Sequence, residues 1–287
     1  MTEFLLSYIK KNSPRWNVRP KIFSGENFQD CIVLIFGKPR TAVFAHIDSI
    51  GFTVRYKNEL VKIGSPVTKS GIKLSGSDSN GKIDCKLKAD KTGNLSAEFE
   101  REIERGTDLV FKEHFRETKT FIQSPYLDNR LGVWIALQLC GTIENGAIVF
   151  SCYEEHGGGT AGYLMKFLYE KYKIQQALIC DITWITAGVV HEKGVVVSLR
   201  DMGIPRRSFV RKIISILEKE KISFQNEVEA SGGSDGTELQ RSTVPVDWCF
   251  LGAAESYVHS PDEKVHKDDI HSMLQAYRVL MKALHKK

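Results

Sequence analysis

No stretch of this 287-residue sequence approaches the roughly 18 consecutive apolar residues of a membrane-spanning helix, so a helical membrane protein is excluded. The opening Met1-Thr2-Glu3-Phe4-Leu5-Leu6-Ser7-Tyr8 has no basic segment and no long apolar core, and no signal peptide is expected. Charge of one sign is missing too. Lys and Arg number 40 against 35 Asp and Glu, and the signs interleave, as in Glu218-Lys219-Glu220-Lys221. That balance argues against a nucleic-acid surface. The six cysteines (Cys31, Cys85, Cys140, Cys152, Cys180, Cys249) show no C-x-x-C spacing, and four of them sit inside apolar runs as small hydrophobes. A disulfide framework is thus disfavoured, and the reducing cytoplasm is the expected compartment. Three catalytic signatures are absent as well. The Gly-rich Ser231-Gly232-Gly233-Ser234-Asp235-Gly236-Thr237 lacks the Lys and spacing of a P-loop, although its amides could hold an anionic or carbonyl oxygen. His191-Glu192 has no second His four positions after the first, and no G-x-S-x-G elbow occurs.

What the chain does have is a set of polar residues in or after apolar runs. His46 and Asp48 follow Thr41 to Ala45, Glu154-Glu155 follow Ala147 to Tyr153, and Asp181 follows Ala177 to Cys180. His259 lies in the loop after Trp248 to Leu251, and Asp128 precedes an apolar helix. Taken singly, each has a bland alternative. Asp128 fits an ordinary helix N-cap, His46 and His259 fit satisfied strand-end or loop histidines, and the Glu pair fits a solvated turn. Taken together, two His, two Asp and two Glu are the ligand types zinc takes when no thiolate is used. Asp128 would bridge two cations, Asp48 would hold the second nitrogen of His46, and one glutamate of the adjacent pair would serve as base. A dinuclear metallohydrolase is the leading interpretation.

The apolar fraction of 42% is ordinary for a globular chain, and the length suits one large α/β domain with a subdomain. Phe4 to Lys10 is expected as a helix, and Cys31–Phe36 and Thr41–Ala45 as a hairpin turned at Gly37-Lys38-Pro39-Arg40. From 57 to 121 short β-like pieces alternate with turn signals such as Ser75-Gly76-Ser77-Asp78-Ser79-Asn80-Gly81, which predicts an inserted β-rich, barrel-like subdomain. Residues 1–56 and 122–287 then form the catalytic domain, a mixed α/β sheet flanked by helices. Within it, Leu131–Cys140, Phe209–Lys221 (with Ser208 as N-cap) and Asp269–His285 are expected helices, and Trp248–Leu251 is the last strand. In open α/β sheets ligands bind outside the carboxyl ends of strands, so residues distant in sequence can converge there. No internal repeat and no low-complexity tract is found.

These residues carry a resemblance. Ala45-His46-Ile47-Asp48-Ser49-Ile50-Gly51-Phe52, Leu127-Asp128-Asn129-Arg130-Leu131-Gly132-Val133, Glu154-Glu155-His156-Gly157, Cys180-Asp181-Ile182-Thr183, Gly233-Ser234-Asp235-Gly236 and Tyr257-Val258-His259-Ser260-Pro261 occur in the order found in one family. It is the family of tetrahedral and glutamyl aminopeptidases, co-catalytic metallopeptidases, and the chain resembles it over most of its length. The resemblance implies a zinc-exopeptidase-type α/β domain with a β-rich insert between His46 and Asp128. It further implies that His46, Asp128 and Asp181 hold one metal and Asp128, Glu155 and His259 the other. Glu154 would be the general base, with Asp48 orienting His46. The expected cofactors are two divalent ions, zinc first, with cobalt or manganese as alternatives. The expected activity is metal-dependent removal of N-terminal residues from peptide substrates. An amidohydrolase acting on N-acyl amino acids and a non-catalytic metal-binding scaffold are the alternatives. Homo-oligomeric assembly is also implied, and the charged run Glu98-Phe99-Glu100-Arg101-Glu102-Ile103-Glu104-Arg105 predicts a small oligomer rather than a twelve-subunit shell.

Overall fold

The computed structural model of the chain describes residues 1–285. The chain opens with helix α1 (Thr2–Asn12) and strands β1 (Lys21–Phe23), β2 (Ile32–Phe36) and β3 (Thr41–His46). Eight strands follow: β4 (Gly51–Val54), β5 (Leu60–Ile63), β6 (Lys73–Asp78), β7 (Gly81–Ala89), β8 (Leu95–Glu98), β9 (Asp108–Phe111), β10 (Arg116–Glu117) and β11 (Phe121–Gln123). Helices and strands then mix: α2 (Leu127–Cys140), β12 (Gly146–Ser151), α3 (Ala161–Tyr172), β13 (Gln176–Trp184), β14 (Val195–Arg200) and α4 (Arg207–Lys219). The last elements are β15 (Phe224–Val228), α5 (Asp235–Gln240), β16 (Asp247–Ser256), β17 (Lys264–His266) and α6 (Lys267–His285). They divide into two compact units. One holds Met1–Asp48, Asn129–Ser256 and the chain from Val265, and the other holds Ser49–Asp128 with Tyr257–Lys264.

In the first unit the strands pair in the order β1-β2-β12-β3-β13-β16-β14-β15. The centre of that sheet is parallel: β3 lies between β12 and β13, and β13 runs parallel to β16. Every residue of β2 (IVLIF), β3 (TAVFAH) and β12 (GAIVFS) is buried. Such two-sided burial is what a parallel sheet demands, and it explains continuous apolar runs in place of alternation. Each buried Ile, Val, Leu or Phe contributes roughly 1.5–3 kcal/mol. Helix α6 is pinned to this sheet by Tyr277, whose buried hydroxyl reaches the carbonyls of Ile179 (2.7 Å) and Leu251 (2.9 Å).

Four details differ from the sequence expectation. β2 and β3 form no hairpin, because β12 inserts between them, antiparallel to β2 and parallel to β3. The connection Gly37–Arg40 instead meets the chain leading into β12, with Lys38 N–H donating to Asn145 Oδ1 at 2.8 Å. Asp181 does not end its strand but lies within β13, two residues beyond the last pairing with β3, Ile179 with Phe44. The N-cap of α4 is Arg206 rather than Ser208, which falls in the first turn; Arg206 is held by the Asp247 carboxylate. Finally, β17 follows β16, so the run at Trp248–Leu251 is not the last strand.

The second unit is a six-stranded antiparallel sheet ordered β5-β4-β9-β6-β7-β8. A bridge between Glu59 and Ser96 joins its two ends, giving a nearly closed barrel. Here burial alternates. In β7 Ile83, Cys85 and Leu87 point inward while Lys82, Asp84, Lys86 and Lys88 face water. The charged run after β8 is tied down: Arg101 grips Asp78 with two hydrogen bonds of 2.6 and 2.7 Å, and Glu104 accepts the Ser79 amide at 3.0 Å.

Candidate metal centre

His46 is the last residue of β3 and is 2% exposed. The parallel pairing sets it beside Ser151, the last residue of β12, and Ile47 N–H continues the ladder to Ser151 O at 2.9 Å. The chain leaving both strands therefore rises side by side. That pairing brings Asp48 against the glutamate pair: its carboxylate accepts the amides of Glu154 (3.3 Å) and Glu155 (3.1 Å). Burial pushes the Asp48 carboxyl up, but the hydrogen bond and charge of His46 outweigh it and hold the group below its ordinary range. The loop carrying the glutamates is closed by Thr160, whose hydroxyl accepts the Cys152 amide (3.0 Å) and donates to the Cys152 carbonyl (2.6 Å). Both glutamates are half-buried.

The imidazole of His46 is held on both sides. Nδ1 lies 3.3 Å from the Asp48 carbonyl and 3.6 Å from its carboxylate, and Nε2 lies 3.5 Å from Asp181 Oδ2. A proton on Nδ1, donated to Asp48, leaves the Nε2 lone pair directed at Asp181. Asp181 Oδ1 accepts the Ile182 amide at 2.8 Å, and the backbone just before Asp181 is held by α2. The Asn129 side chain donates to Cys180 O at 2.8 Å while its Oδ1 accepts Gly132 N–H at 2.8 Å. A Cβ at Gly132 would stand 2.1 Å from Cys180 O, so only glycine permits this approach.

In the second unit Asp128 and His259 form a matching pair, His259 Nε2 lying 3.2 Å from Asp128 Oδ2. His259 Nδ1 is 2.7 Å from Ser65 Oγ, so this imidazole too has one nitrogen engaged and the other facing a carboxylate. His259 (φ 61°) has left-handed backbone, as does Tyr126 (φ 67°), two residues before Asp128; in the first unit Tyr153 (φ 68°) precedes Glu154. Strain of this kind, costing on the order of 1–3 kcal/mol each, gathers where a side chain must be aimed.

Two further buried acids, Glu263 and Asp235, lie beside these residues or their strands. Glu263 is fully buried; its two carboxylate oxygens accept the amides of Asp128 (3.2 Å) and His259 (3.1 Å). Burial, with the charge of Asp128 adding, pushes it up to about 8. Asp235 accepts a short hydrogen bond from Ser151 Oγ, and burial pushes it up to about 7. In the sequence Glu263 stands four residues after His259, and Asp235 stands within Gly233-Ser234-Asp235-Gly236; these places are the signal for each.

The donors suit divalent cations. Asp128 and Asp181 are only 7% and 6% exposed, and buried carboxylates need compensating positive charge. In the first unit a ring nitrogen of His46 and a carboxylate oxygen of Glu155 lie within 4.8 Å of each other, donors that could serve a metal ion. Nitrogen and carboxylate donors without thiolate match zinc or a similar ion. All six cysteines are buried free thiols. No helix among the described residues is long and apolar enough to cross a membrane.

Solved structures share the whole fold. An aminopeptidase from the archaeon Desulfurococcus kamchatkensis superposes with a TM-score of 0.83 at 16% identity, covering 98% of this chain and 89% of that one. The TET1 peptidase of Pyrococcus horikoshii gives 0.80 at 21%, covering 98% and 94%. A TET aminopeptidase from a marine-sediment Thaumarchaeota archaeon gives 0.83 at 13%, covering 98% and 90%. Comparison with curated protein sequences finds no significant match. These likenesses show the fold, and the class of protein comes from a family model for peptidases, which makes the chain a peptide hydrolase. The family model described as M42 glutamyl aminopeptidase matches residues 82–275, and the chain belongs to that family, as its motifs implied.

Proposed function

We propose that the protein is a metal-dependent aminopeptidase that removes N-terminal residues from peptides. His46, Asp128 and Asp181 would hold one divalent cation, and Asp128, Glu155 and His259 the second, zinc first among the metals. The observation that carries this reading is the repeated geometry of the two histidines. Each presents Nε2 to a buried aspartate, at 3.5 Å for His46 and 3.2 Å for His259, with Nδ1 engaged by another group.

Two bound cations would supply Lewis acidity at the scissile carbonyl and a water of lowered pKa. Glu154 takes the proton of the attacking water and passes it to the leaving amine. Its reach is set by Asp48, which holds the backbone of both glutamates as well as His46. Homo-oligomeric assembly in the cytoplasm belongs to the same reading. The Pyrococcus horikoshii TET1 peptidase assembles into a tetrahedron or an octahedral shell.

The test is Glu154→Gln. It should keep both cations by elemental analysis while kcat on aminoacyl-p-nitroanilides falls by about 10²–10⁴-fold, the range for loss of an acid–base group. Near-native turnover, or metal loss as severe as in a ligand variant, would remove Glu154 from this role. Wild-type turnover of N-acyl amino acids in place of aminoacyl substrates would overturn the aminopeptidase reading itself.

A further inference from the structure

Glu263 has a place in the second unit that neither ligation nor acid–base chemistry uses. It is the carboxylate between two proposed ligands that stand 131 positions apart, Asp128 and His259 (259 − 128). Its Oε2 accepts Asp128 N–H at 3.2 Å and its Oε1 accepts His259 N–H at 3.1 Å. Its own carbonyl accepts Ser124 N–H at 2.9 Å, so the residue is tied to the 124–128 segment by backbone and side chain together. It is 0% exposed. A fully buried carboxylate placed beside Asp128 is electrostatically unfavourable in the absence of a cation. Its position is hard to explain by stability alone.

The geometry is that of a clamp. Asp128 sits in the first turn of α2 and His259 in a left-handed loop position, and neither local structure fixes the other. One carboxylate that accepts an amide from each fixes their separation, so Asp128 Oδ2 and His259 Nε2 come to 3.2 Å. Ser65 completes the arrangement by engaging the far nitrogen of His259. We infer that Glu263 is the positioning residue for the His259 half of the metal centre: it holds the two ligands at coordination spacing. The inference rests on the two-cation reading above.

Glu263→Gln tests it, because it keeps size and one acceptor but replaces the second acceptor with a donor facing an amide. Zn²⁺ titration of the metal-free full-length protein by calorimetry should show two sites in the wild type. In Glu263→Gln the His259 site should weaken by about 10–100-fold, the range for such supporting partners, and the other, which shares only Asp128 with the clamp, should weaken less. Glu263→Asp, too short to span both amides, should weaken the same site. The melting temperature of the metal-free variants separates positioning from folding. Two sites of wild-type affinity in Glu263→Gln would overturn the inference while leaving the centre intact. Equal weakening at both sites, or metal-free variants unfolded at 25 °C, would also overturn it, since the role would then be structural. A wild type that binds no Zn²⁺ would sink the two-cation reading, and this inference with it.

Discussion

β3 and β7 show how differently the two units use a strand. β3 is buried at all six positions and ends in His46; β7 alternates through nine, with lysines and an aspartate outside and Ile83, Cys85 and Leu87 inside. In β7 a one-residue slip would bury charge and expose the core, so the pattern itself sets the register. In β3 both faces are apolar, and a slip changes little until it reaches the polar end. The first unit therefore concentrates its polar information at strand ends and loops, where His46, Asp48 and the glutamates stand, while the second spreads charge along its length.

The largest expected effect falls on the proposed ligands. His46→Ala and His259→Ala should each reduce bound cation from two equivalents to about one, although one residue lies in each unit. Asp128→Ala should lose both, as the sole residue assigned to bridge. Elemental analysis after desalting reads the result, and equal loss in all three would remove the bridging assignment.

A smaller effect contrasts two glycines. Gly132→Ala forces a Cβ to 2.1 Å from Cys180 O and should cost about 1–3 kcal/mol through overpacking, with a lower melting temperature. Gly93 has open space around it but φ of 88°, so Gly93→Ala meets only backbone strain, about 1–2 kcal/mol. Urea melts of the two variants rank interior closeness against turn conformation. A larger loss at Gly93 would reverse the comparison.

The smallest effects are in pH dependence, and they run in opposite directions. Asp235 is raised to about 7, chiefly by burial, so the folded metal-free protein binds a proton that the unfolded chain releases near pH 4. Its contribution is intact in acid and is lost as pH rises toward 7; Asp235→Asn should flatten that decline. Asp78 is lowered to about 2, chiefly by the Arg101 hydrogen bonds. Its contribution is present above pH 4 and lost as pH falls through 2, so Asp78→Asn should differ from wild type at neutral pH and converge with it in strong acid. Chemical melts across pH check both signs.

Much of this architecture was legible because local pattern and fold agree. The turn-punctuated β stretch, the apolar runs ahead of His46 and Glu154, and the amphipathic closing helix all announce themselves. The partner of β2 did not, since Gly37-Lys38-Pro39-Arg40 is good hairpin chemistry and nothing in Ile32–Phe36 says which apolar strand lies beside it. A charge such as Asp181 after an apolar run looks like a strand terminus, whereas pairing with β16 carries β13 through it to Trp184. Glu263 and Asp235 were invisible as buried acids because each lies in a polar, loop-like segment, where a carboxylate is normally solvated. Their burial arises from contacts to residues far away in the sequence.

The insertion of β12 between β2 and β3 has a consequence for synthesis. When residue 46 leaves the ribosome, the strand that must separate these two is still a hundred residues from emerging (146 − 46), since β12 begins at Gly146. At about 5–20 residues per second that delay is on the order of ten seconds, far longer than the microseconds in which a β-hairpin closes. During that interval β1 can cover one edge of β2, but the edges of β2 and β3 that β12 will separate have only each other to pair with. The nascent chain must therefore either open a transient hairpin or be held unpaired, while the local antiparallel pairs of the second unit can form as soon as they emerge.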